Sequence, residues 1–480
     1  MRAAISIDSA SSIPVHRQIY QAWRDGILRG RFAPKARVPS TRELAGALRV
    51  ARSTVTQAYE QLIAEGYLQT QRGSGTFVCS VLPEKLLHAK PAPKLKTHTP
   101  TAPRLSEYGA RLFDDFDYPR KQPGWISFSH WWPDQEQFPS ASWRRLTMRQ
   151  LRRESPDVFN YAQHAQGYEP LRREIASYVS RFRAASCTAD QVIVVNGSQQ
   201  GLDLCARLLF DPGDEIAVEN PGYLGARRVF LAAGAKLRPV PVDDEGIDCR
   251  ALDKKTRVVY VTPSHQFPTG VAMSLQRRLE LIVWARQANA IVIEDDYDSE
   301  YRYSGTPLPS LQGLSADTPV IYCGTFSKVM FPGLRIGYLI VPPKLVSAFR
   351  RAKWLADRNT PVLEQAVLAD FLGEGHLERH IRRMRRIYAS RREALIESLF
   401  RYFGASATVY GDAAGMHAMV RIDDRSVGGL VIEERAIKNK VHLRSARDYY
   451  LSGAPPNEFV FGFATLGERS IREGIRRLAP

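Results

Sequence analysis

A lysine and an arginine whose side chains and spacing could serve chemistry follow a short apolar run late in the chain. Lys328 comes directly after Gly324-Thr325-Phe326-Ser327, and Arg335 stands seven residues beyond it. A lysine at the end of a buried strand can form a Schiff base if desolvation keeps its amine neutral. Because an ordinary surface position is commoner for a single lysine, Lys328 alone does not establish such a site.

A second feature is a cluster of acidic residues. Residues 294–300 read EDDYDSE and carry five acids directly after the apolar run Ile291–Ile293. Five negative charges in so short a stretch need cations to offset them. A Mg²⁺ site and a solvated acidic loop are both compatible with the pattern.

A third feature is a turn that could hold an anion. Residues 196–201, NGSQQG, follow the apolar run Val192–Val195 and open a helical pattern. Free backbone N–H groups and the helix dipole can bind a phosphate at such a turn. Taken alone, a plain strand–turn–helix connection explains the pattern better.

Together these three features match the parts of a pyridoxal phosphate site. The cofactor requires a lysine for its aldehyde, a carboxylate that keeps its pyridine nitrogen protonated, and donors for its phosphate. Lys328 supplies the first, the acidic stretch 294–300 the second, and the turn at 196–201 the third. The combination therefore predicts that the chain binds pyridoxal 5'-phosphate.

The elements that must position these groups form an alternating α/β body. Short apolar runs recur, and each is followed by a turn and a helical pattern. The predicted strands are Val192–Val195, Glu215–Val218, Val258–Val261, Ile291–Ile293, Val320–Tyr322 and Ile336–Val341. This alternation predicts a largely parallel sheet flanked by helices. Ligands of such sheets bind beyond the carboxyl ends of the strands, where the unusual residues lie.

The N-terminal residues predict a separate basic head. Apolar residues at helical spacing predict a helix from Val15 to Leu28, and Ser40-Thr41-Arg42-Glu43 fits a capping box that starts a second. A third helix begins near Arg52 and ends at Gly66. Residues 67–78 predict two short strands around a Gly-rich tip. A helix-turn-helix followed by such a hairpin is a winged helix.

The head resembles the GntR-type winged helix over about residues 12–78. The resemblance is carried by PSTRELAGALRVARSTVTQAYEQLIAEGYLQTQRGSGTFV. It implies that the partner is a double-stranded DNA operator, contacted from the start of the third helix and from the hairpin. The residues at DNA-contacting positions of that family are Arg42, Arg52, Ser53, Thr54, Thr56 and Arg72.

The body resembles the fold type I aminotransferases over about residues 122–480. The phrases ENPGY, VTPSHQFPTG, EDDYDSEYRY and GTFSKVMFPGLRIGY carry this resemblance. It implies a mostly parallel sheet flanked by helices, with a smaller α+β subdomain. With the head, the whole chain is similar to the MocR/GabR-type bacterial transcription regulators. That family implies a homodimer that binds pyridoxal phosphate as a Schiff base and senses an amine, an amino acid or the cofactor itself.

The resemblance also assigns roles to individual residues. Lys328 would be the Schiff-base lysine, Asp295 would pair with the pyridine nitrogen, and Tyr297 would hydrogen-bond the ring hydroxyl. Tyr223 would stack on the ring face. The residues implied to hold the phosphate are Ser198 and Gln199 and, from the other side, Thr325, Ser327 and Arg335. The residues implied to lie near the ring hydroxyl are His265 and Gln266.

The sequence departs from the aminotransferase pattern at two places. Phe267 stands directly before Pro268-Thr-Gly, where the pattern has Asn. The late strand Glu458–Ala464 has no arginine, although many fold type I enzymes clamp a substrate carboxylate there with a bidentate guanidinium. Arg444 and Arg447 are the nearest candidates for binding the effector. A true aminotransferase with an appended DNA-binding domain is the alternative function. Residual transaminase activity is also compatible with a regulator whose aminotransferase-like domain is used for sensing.

Composition and charge agree with a nucleic-acid partner. The 480 residues carry 67 Lys and Arg against 50 Asp and Glu, a net charge of +17, and residues 1–80 hold eleven basic and five acidic residues. A densely basic head suits phosphate contacts. The five cysteines include no CxxC pair, which disfavours a disulfide framework and a zinc ribbon, and no metal site is predicted.

The chain also lacks the sequence features of a membrane protein. No apolar run reaches the ~18 residues that a membrane helix needs, and the N-terminus has no apolar signal-peptide core. We therefore expect a cytoplasmic protein without membrane contact. The predicted domains are a winged helix at 1–80, a Pro-rich linker at 81–121 and the aminotransferase-like domain at 122–480.

Overall fold

The computed structural model describes residues 7–8, 11–71, 73–83, 104–112, 122–130, 132–153, 159–161, 165–305, 309–314, 319–423 and 429–479. The chain divides into two compact units, residues 1–103 and 104–480. Most of the predicted linker, 81–121, lies outside the described residues, so its bounds stay a prediction.

Three helices and a hairpin build the first unit. The helices are α1 (Val15–Leu28), α2 (Thr41–Leu48) and α3 (Arg52–Ala64), and the strands are β1 (Leu68–Gln71) and β2 (Gly75–Val78). The strands pair in antiparallel register, from Leu68 opposite Val78 to Gln71 opposite Gly75. The predicted winged helix is therefore confirmed.

One apolar core holds the first unit together. Ile19 and Trp23 of α1 pack with Val55, Tyr59 and Leu62 of α3, and all five are at most 3% exposed. Their spacing of three and four residues places them on one side of each helix. Burying this stripe leaves Arg52 and Ser53, at the start of α3, exposed to solvent.

Helix α2 begins with the predicted capping box. The Ser40 Oγ accepts a hydrogen bond from the Glu43 N–H at 3.2 Å, and the Glu43 carboxylate accepts one from the Ser40 N–H at 2.8 Å. These bonds lower the pKa of Glu43. The helix ends at Arg49, whose φ of 53° turns the chain toward α3.

The second unit surrounds an eight-stranded sheet. Before it come α4 (Glu107–Ala110), β3 (Ile126–Ser127), α5 (Ser140–Arg152) and α6 (Glu169–Arg183). The sheet strands are β4 (Val192–Val195), β5 (Glu215–Asn220), β6 (Lys236–Asp243), β7 (Gly246–Ile247), β8 (Val258–Val261), β9 (Ile291–Asp296), β10 (Val320–Thr325) and β11 (Gly337–Ile340). Their order is β4-β11-β10-β9-β8-β5-β6-β7.

This sheet is mostly parallel, as predicted. Strands β10, β9, β8, β5 and β6 run parallel to their neighbours in that series. Strand β11 is antiparallel to both β10 and β4, and β7 is antiparallel to β6. The carboxyl ends of β4 and β10 therefore flank the amino end of β11.

Helices cover the sheet, and a smaller antiparallel sheet follows it. The helices between and after the strands are α7 (Ser198–Leu209), α8 (Leu224–Ala232), α9 (Leu275–Ala288), α10 (Val346–Asp357), α11 (Val362–Gly373) and α12 (His376–Phe403). The remaining elements are β12 (Ala407–Tyr410), β13 (His417–Ile422), α13 (Gly429–Lys438), β14 (Val441–His442), β15 (Arg444–Ser445), β16 (Glu458–Gly462) and α14 (Glu468–Leu478). Strands β12-β13-β16-β15 form the second sheet, and β14 pairs with β3. No helix in the described part of the chain is both long and apolar enough to cross a membrane.

Strand β9 is longer than its apolar run predicts. The prediction ended this strand at Ile293, whereas the structure continues it through Asp296, and all three acids of Glu294–Asp296 are buried. Buried partners compensate two of these carboxylates. Glu294 accepts backbone N–H groups from Leu311 and Gln312, at 2.9 and 3.0 Å, and Asp296 is paired with the Arg183 guanidinium at 2.6 Å. A solvated acidic loop is therefore excluded for these three residues.

We expect Ser40→Ala to lower the free energy of unfolding of the first unit by about 1 kcal/mol, because an N-cap hydroxyl bonded to a helix N–H contributes about that much. Native-state hydrogen exchange of the α2 and α3 amides measures the change. Ser53→Ala is the matched control, because Ser53 is exposed in the first turn of α3. Equal loss of protection in the two variants would contradict a specific role for the cap.

Candidate functional site

Lys328 lies three residues beyond the carboxyl end of β10. Its side chain is half-buried, and its Nζ is 3.4 Å from the His130 carbonyl oxygen. Burial lowers the pKa of Lys328 to about 8, although the nearby charges of Asp298 and Asp295 oppose the shift. A substantial fraction of this amine is therefore neutral near pH 8, which is the state that a nucleophilic lysine requires.

Asp295 lies on β9, next to β10, and is 4% exposed. The Tyr260 hydroxyl of β8 donates a hydrogen bond to its Oδ2 at 2.7 Å. Its Oδ1 is buried and has no hydrogen-bond partner among the described residues. Burial raises the pKa of Asp295 to about 7, against the opposing effects of the Tyr260 bond and the Lys328 charge. A cationic N–H donor at Oδ1 would satisfy this atom and stabilise the ionised carboxylate.

Tyr297 and His265 form a hydrogen-bonded group with Asp298. The His265 Nδ1 lies 2.9 Å from the Asp298 Oδ1 and 3.1 Å from the Tyr297 hydroxyl oxygen. Gly415 makes room for this group, because a Cβ at that position would overlap the His265 ring. The structure thus brings the two predicted residues into direct contact, and it adds Asp298, which the sequence did not single out, as a partner of His265.

His417 adds a second imidazole to this group. Ligand-type atoms of His265, Asp298 and His417 all lie within 4.8 Å of one another, a spacing that could hold a metal ion. The His417 Nε2, however, lies 3.2 Å from the Pro268 carbonyl oxygen, and the His265 Nδ1 is bonded to Asp298. We therefore describe the three as a hydrogen-bonded cluster and assign no metal to it.

The side-chain amide of Gln266 is hydrogen-bonded both to its own loop and to the segment around Pro221. Its Nε2 donates to the carbonyl oxygens of Pro221 and Phe267, at 2.8 and 2.7 Å, and its Oε1 accepts from the Thr269 hydroxyl at 2.6 Å. The residue is 1% exposed. These bonds shape the loop before Thr269, and the predicted contact of Gln266 with a cofactor stays a prediction.

The turn after β4 has the form of an anion site. Gly197 has a φ of 85°, and a Cβ there would lie 3.0 Å from Arg335 Nη2. The same Nη2 donates to the Asn196 carbonyl oxygen at 2.7 Å, so the guanidinium lies against the turn. Ser198 and Gln199 are the first residues of α7, where backbone N–H groups lack intrahelical partners.

Thr325 and Ser327 approach this turn from β10. The Thr325 Oγ1 accepts a hydrogen bond from the Ser327 N–H at 3.2 Å. Gly337 of β11 lies between the two segments, because a Cβ there would be 3.0 Å from both the Gly197 carbonyl carbon and the Gly324 carbonyl oxygen. The residues predicted to hold a phosphate from two sides therefore do come from neighbouring segments.

Aromatic rings line the same end of the sheet. Tyr223 precedes α8, and its ring centre is 5.8 Å from that of Phe267. Phe267, at the position where the aminotransferase pattern has Asn, also packs against His130 at 5.3 Å and Tyr449 at 4.9 Å. The substitution thus replaces a hydrogen-bonding amide by a ring packed beside the segment that contacts Lys328.

The two predicted effector arginines occupy different environments. Arg444, on β15, is half-buried, and its Nη2 lies 3.0 Å from the Asp448 carboxylate. Burial lowers the pKa of His130 well below its ordinary value, and the charges of Lys328 and Arg444 act in the same direction. Arg447 is exposed on the following turn. The charges of Arg444 and Lys328 therefore both act on His130.

The DNA-contact candidates of the first unit lie around the start of α3. Arg42, Arg52 and Ser53 are exposed, and Thr54 and Thr56 are half-buried. Arg72 lies outside the described residues.

Two of these candidates also make bonds within the head. The Arg52 Nε donates to the Thr41 hydroxyl at 3.2 Å, which ties the start of α3 to α2. The Thr56 hydroxyl donates to the Arg52 carbonyl oxygen at 3.0 Å, within its own helix. Because the bond to Thr41 restricts the Arg52 side chain, its guanidinium has fewer rotamers available than that of an unbonded surface arginine.

Sequence reasoning missed three residues that shape the body site. Tyr260 carried a usable signal, because a tyrosine inside an apolar strand needs a partner for its hydroxyl. Asp298 was visible only as one of five neighbouring acids. His130 is almost two hundred residues from Lys328 in the chain, so no local pattern could have linked them.

Comparison with protein families matches both units. The family described as "Bacterial regulatory proteins, gntR family" matches residues 15–78, and "Aminotransferase class I and II" matches residues 132–478. The probable rhizopine catabolism regulatory protein MocR of Rhizobium meliloti is 37% identical over 98% of this chain and 94% of its own length. The pyridoxine biosynthesis transcriptional regulator PdxR of Corynebacterium glutamicum is 32% identical over 98% and 96%.

The body also resembles solved enzymes. The α-aminoadipate aminotransferase LysN of Thermus thermophilus, in complex with N-(5'-phosphopyridoxyl)-L-leucine, aligns with a TM-score of 0.69 at 29% identity over 78% of this chain and 96% of that one. The predicted fold type I body is thus confirmed. From the two family matches and the full-length regulator relatives, the chain belongs to the GntR/MocR-type bacterial transcription regulators, which join a gntR-family head to an aminotransferase class I and II domain.

Proposed function

We propose that this regulator holds pyridoxal phosphate on Lys328 and uses it to sense a small amine or amino acid. The observation that carries the proposal is the buried Asp295 carboxylate, whose Oδ1 has no partner in the described part of the chain. The protonated pyridine nitrogen of the cofactor would be a cationic N–H donor, which is the kind of partner that the Asp295 Oδ1 requires. When bound, the cofactor would supply an electrophilic aldehyde and an electron-accepting ring.

The surrounding residues fit the other parts of that cofactor. Tyr260 holds the second oxygen of Asp295 in place, and the lowered pKa of Lys328 keeps part of its amine neutral. Tyr297 and His265, linked to Asp298, could position a ring hydroxyl. The start of α7, together with Arg335, offers N–H donors for a phosphate.

Arg444 is the better of the two candidates for an effector carboxylate. It is half-buried near His130, whereas Arg447 is exposed. A partly desolvated guanidinium binds a carboxylate more strongly than a fully hydrated one. We therefore propose that carboxylated effectors engage Arg444.

The domain organisation supports regulation through DNA. We propose that residues 1–80 bind an operator, that 81–121 link the domains and that 122–480 form the effector domain; the family matches at 15–78 and 132–478 lie inside the first and last. We also propose a homodimer, because winged helices usually read two half-sites. An effector can shift DNA binding only by as much as its affinity differs between two states of the body.

An aminotransferase with an appended DNA-binding head is the second candidate. The enzyme-like site residues and the likeness to an aminotransferase structure favour it, while the arginine-free late strand Glu458–Gly462 weighs against efficient amino-acid turnover. Turnover assays with amino-acid and keto-acid pairs separate the two functions.

We expect the purified protein to show a visible absorption band with pyridoxal phosphate that borohydride fixes on Lys328. Lys328→Ala should lose the band, whereas Lys344→Ala, at an exposed lysine, should keep it. The rate at which cofactor-free protein captures the aldehyde should rise as pH increases through about 8, because deprotonation produces the nucleophilic amine. An unchanged band in Lys328→Ala would refute the assignment.

Arg52→Ala should weaken operator binding and reduce the slope of log affinity against log salt by about 0.9, the value for one lost phosphate contact. Fluorescence anisotropy over a salt series measures both quantities. Arg31→Ala changes another exposed arginine of the head, outside the predicted contact set, and serves as the control. Identical slopes in wild type and Arg52→Ala would show that Arg52 makes no phosphate contact.

Arg444→Gln should reduce the affinity for L-alanine relative to ethylamine by roughly tenfold or more, because only the amino acid has a carboxylate for the guanidinium to bind. Spectral titration of the cofactor-loaded protein measures both ligands. Arg447→Gln is the matched control. If the Arg447 variant alone lost the preference for the carboxylated ligand, the assignment would move to Arg447.

A further inference from the structure

A fully buried lysine lies behind the turn that follows β4. Lys353, on α10, is 0% exposed, and its Nζ contacts the two Asp357 carboxylate oxygens at 2.7 and 2.6 Å. It also donates to the Gln200 Oε1 and to the Thr360 hydroxyl, both at 3.1 Å. Because an unpaired ammonium would be costly at such a position, these contacts hold Lys353 and Asp357 as one unit.

This buried ion pair is bonded to both ends of the turn. The Asn196 Nδ2 donates to the Asp357 Oδ2 at 2.6 Å, and the Gln200 Nε2 donates to the same oxygen at 2.8 Å. The Gln200 Oε1 accepts the Asn196 backbone N–H at 2.8 Å. One carboxylate therefore fixes the first and the fifth residue of segment 196–200.

Arg335 contacts the same segment through a different group. Its guanidinium donates to the Asn196 carbonyl oxygen and would lie 3.0 Å from a Cβ at Gly197. Asn196 is thus held by its side chain from Asp357 and by its carbonyl oxygen from Arg335. The N–H groups of Ser198 and Gln199, at the start of α7, lie between these anchored positions in the chain.

We propose that Lys353 and Asp357 are positioning residues for the phosphate of the cofactor. They hold segment 196–200 in the shape in which its N–H groups converge on a phosphate ester, without touching that group. Because the charges of the pair offset each other, their effect is on the geometry of the turn and not on long-range attraction. The inference rests on the proposed function, since it assumes that the ligand of the turn is the phosphate of pyridoxal phosphate.

The proposal has a signature that a general loss of stability would not produce. Pyridoxal has the aldehyde, ring nitrogen and ring hydroxyl of pyridoxal phosphate but lacks the phosphate. Lys328 and Asp295 can engage both compounds, whereas the turn at 196–200 can engage only the phosphorylated one. The ratio of the two dissociation constants therefore reports on the contacts to the phosphate, among them those of the turn, and not on the contacts to the ring or the aldehyde.

The experiment is a titration of the full-length, cofactor-free protein with pyridoxal phosphate and with pyridoxal, followed by visible absorbance. Lys353→Met removes the buried cation, and Gln200→Met cuts the link between the pair and the turn at a half-buried position. Each variant should lose roughly tenfold in its preference for the phosphorylated compound, the effect of about one charge-assisted hydrogen bond. Lys344→Met, at an exposed lysine outside this network, should leave the preference unchanged.

The possible outcomes separate this inference from the proposed function. Unchanged pyridoxal affinity with weakened pyridoxal phosphate affinity supports the positioning role and shows that the variant is folded. If the ratio of the pyridoxal and pyridoxal phosphate dissociation constants is unchanged in both variants, the positioning role is overturned. If Lys353→Met binds neither compound, Gln200→Met decides: a reduced ratio supports the role, and a wild-type ratio overturns it. A wild-type protein that captures neither compound would refute the proposed function and, with it, this inference.

Discussion

The body is organised around a buried carboxylate that the protein leaves half-satisfied. Asp295 receives one hydrogen bond, from Tyr260, while its other oxygen is buried without a partner in the described part of the chain. A buried carboxylate oxygen without a hydrogen-bond donor costs free energy. A cationic N–H donor would offset that cost, and a protonated heterocycle is one such donor. Lys328 lies three residues beyond the end of the neighbouring strand, β10.

The other acids near Asp295 pair with groups of the protein. Glu294 is bonded to backbone N–H groups, Asp296 to Arg183, and Asp298 to His265. Each therefore has its partner inside the protein. The turn at 196–200 is also held by groups of the protein, because the Lys353–Asp357 pair is hydrogen-bonded to it. Within Glu294–Asp296, the buried oxygens left without a hydrogen-bond partner in the described part of the chain are the Asp295 Oδ1 and the Asp296 Oδ1.

Much of the fold was predictable, because local patterns encode it. The capping box at Ser40 and the apolar stripe of α3 depend on residues three or four apart, and the structure confirms both. Strand β9 was predicted too short, because apolar character ends at Ile293 while the hydrogen-bond ladder continues through buried acids. The strand propensities of these residues do not reveal the extension, since Arg183, which compensates the charge of Asp296, is more than a hundred residues away in the chain.

By itself the sequence determined the two-part architecture, the strand–turn–helix order of the body and the residue types available for cofactor chemistry. These follow from periodicity, turn residues and motif spacing, which are local properties of the chain. Only the tertiary structure decided which buried carboxylate oxygens lack a partner in the described part of the chain, that Arg444 is half-buried while Arg447 is exposed, and that the Lys353–Asp357 pair is bonded to segment 196–200. Burial and hydrogen-bond satisfaction depend on groups brought together from distant segments, so no local pattern specifies them.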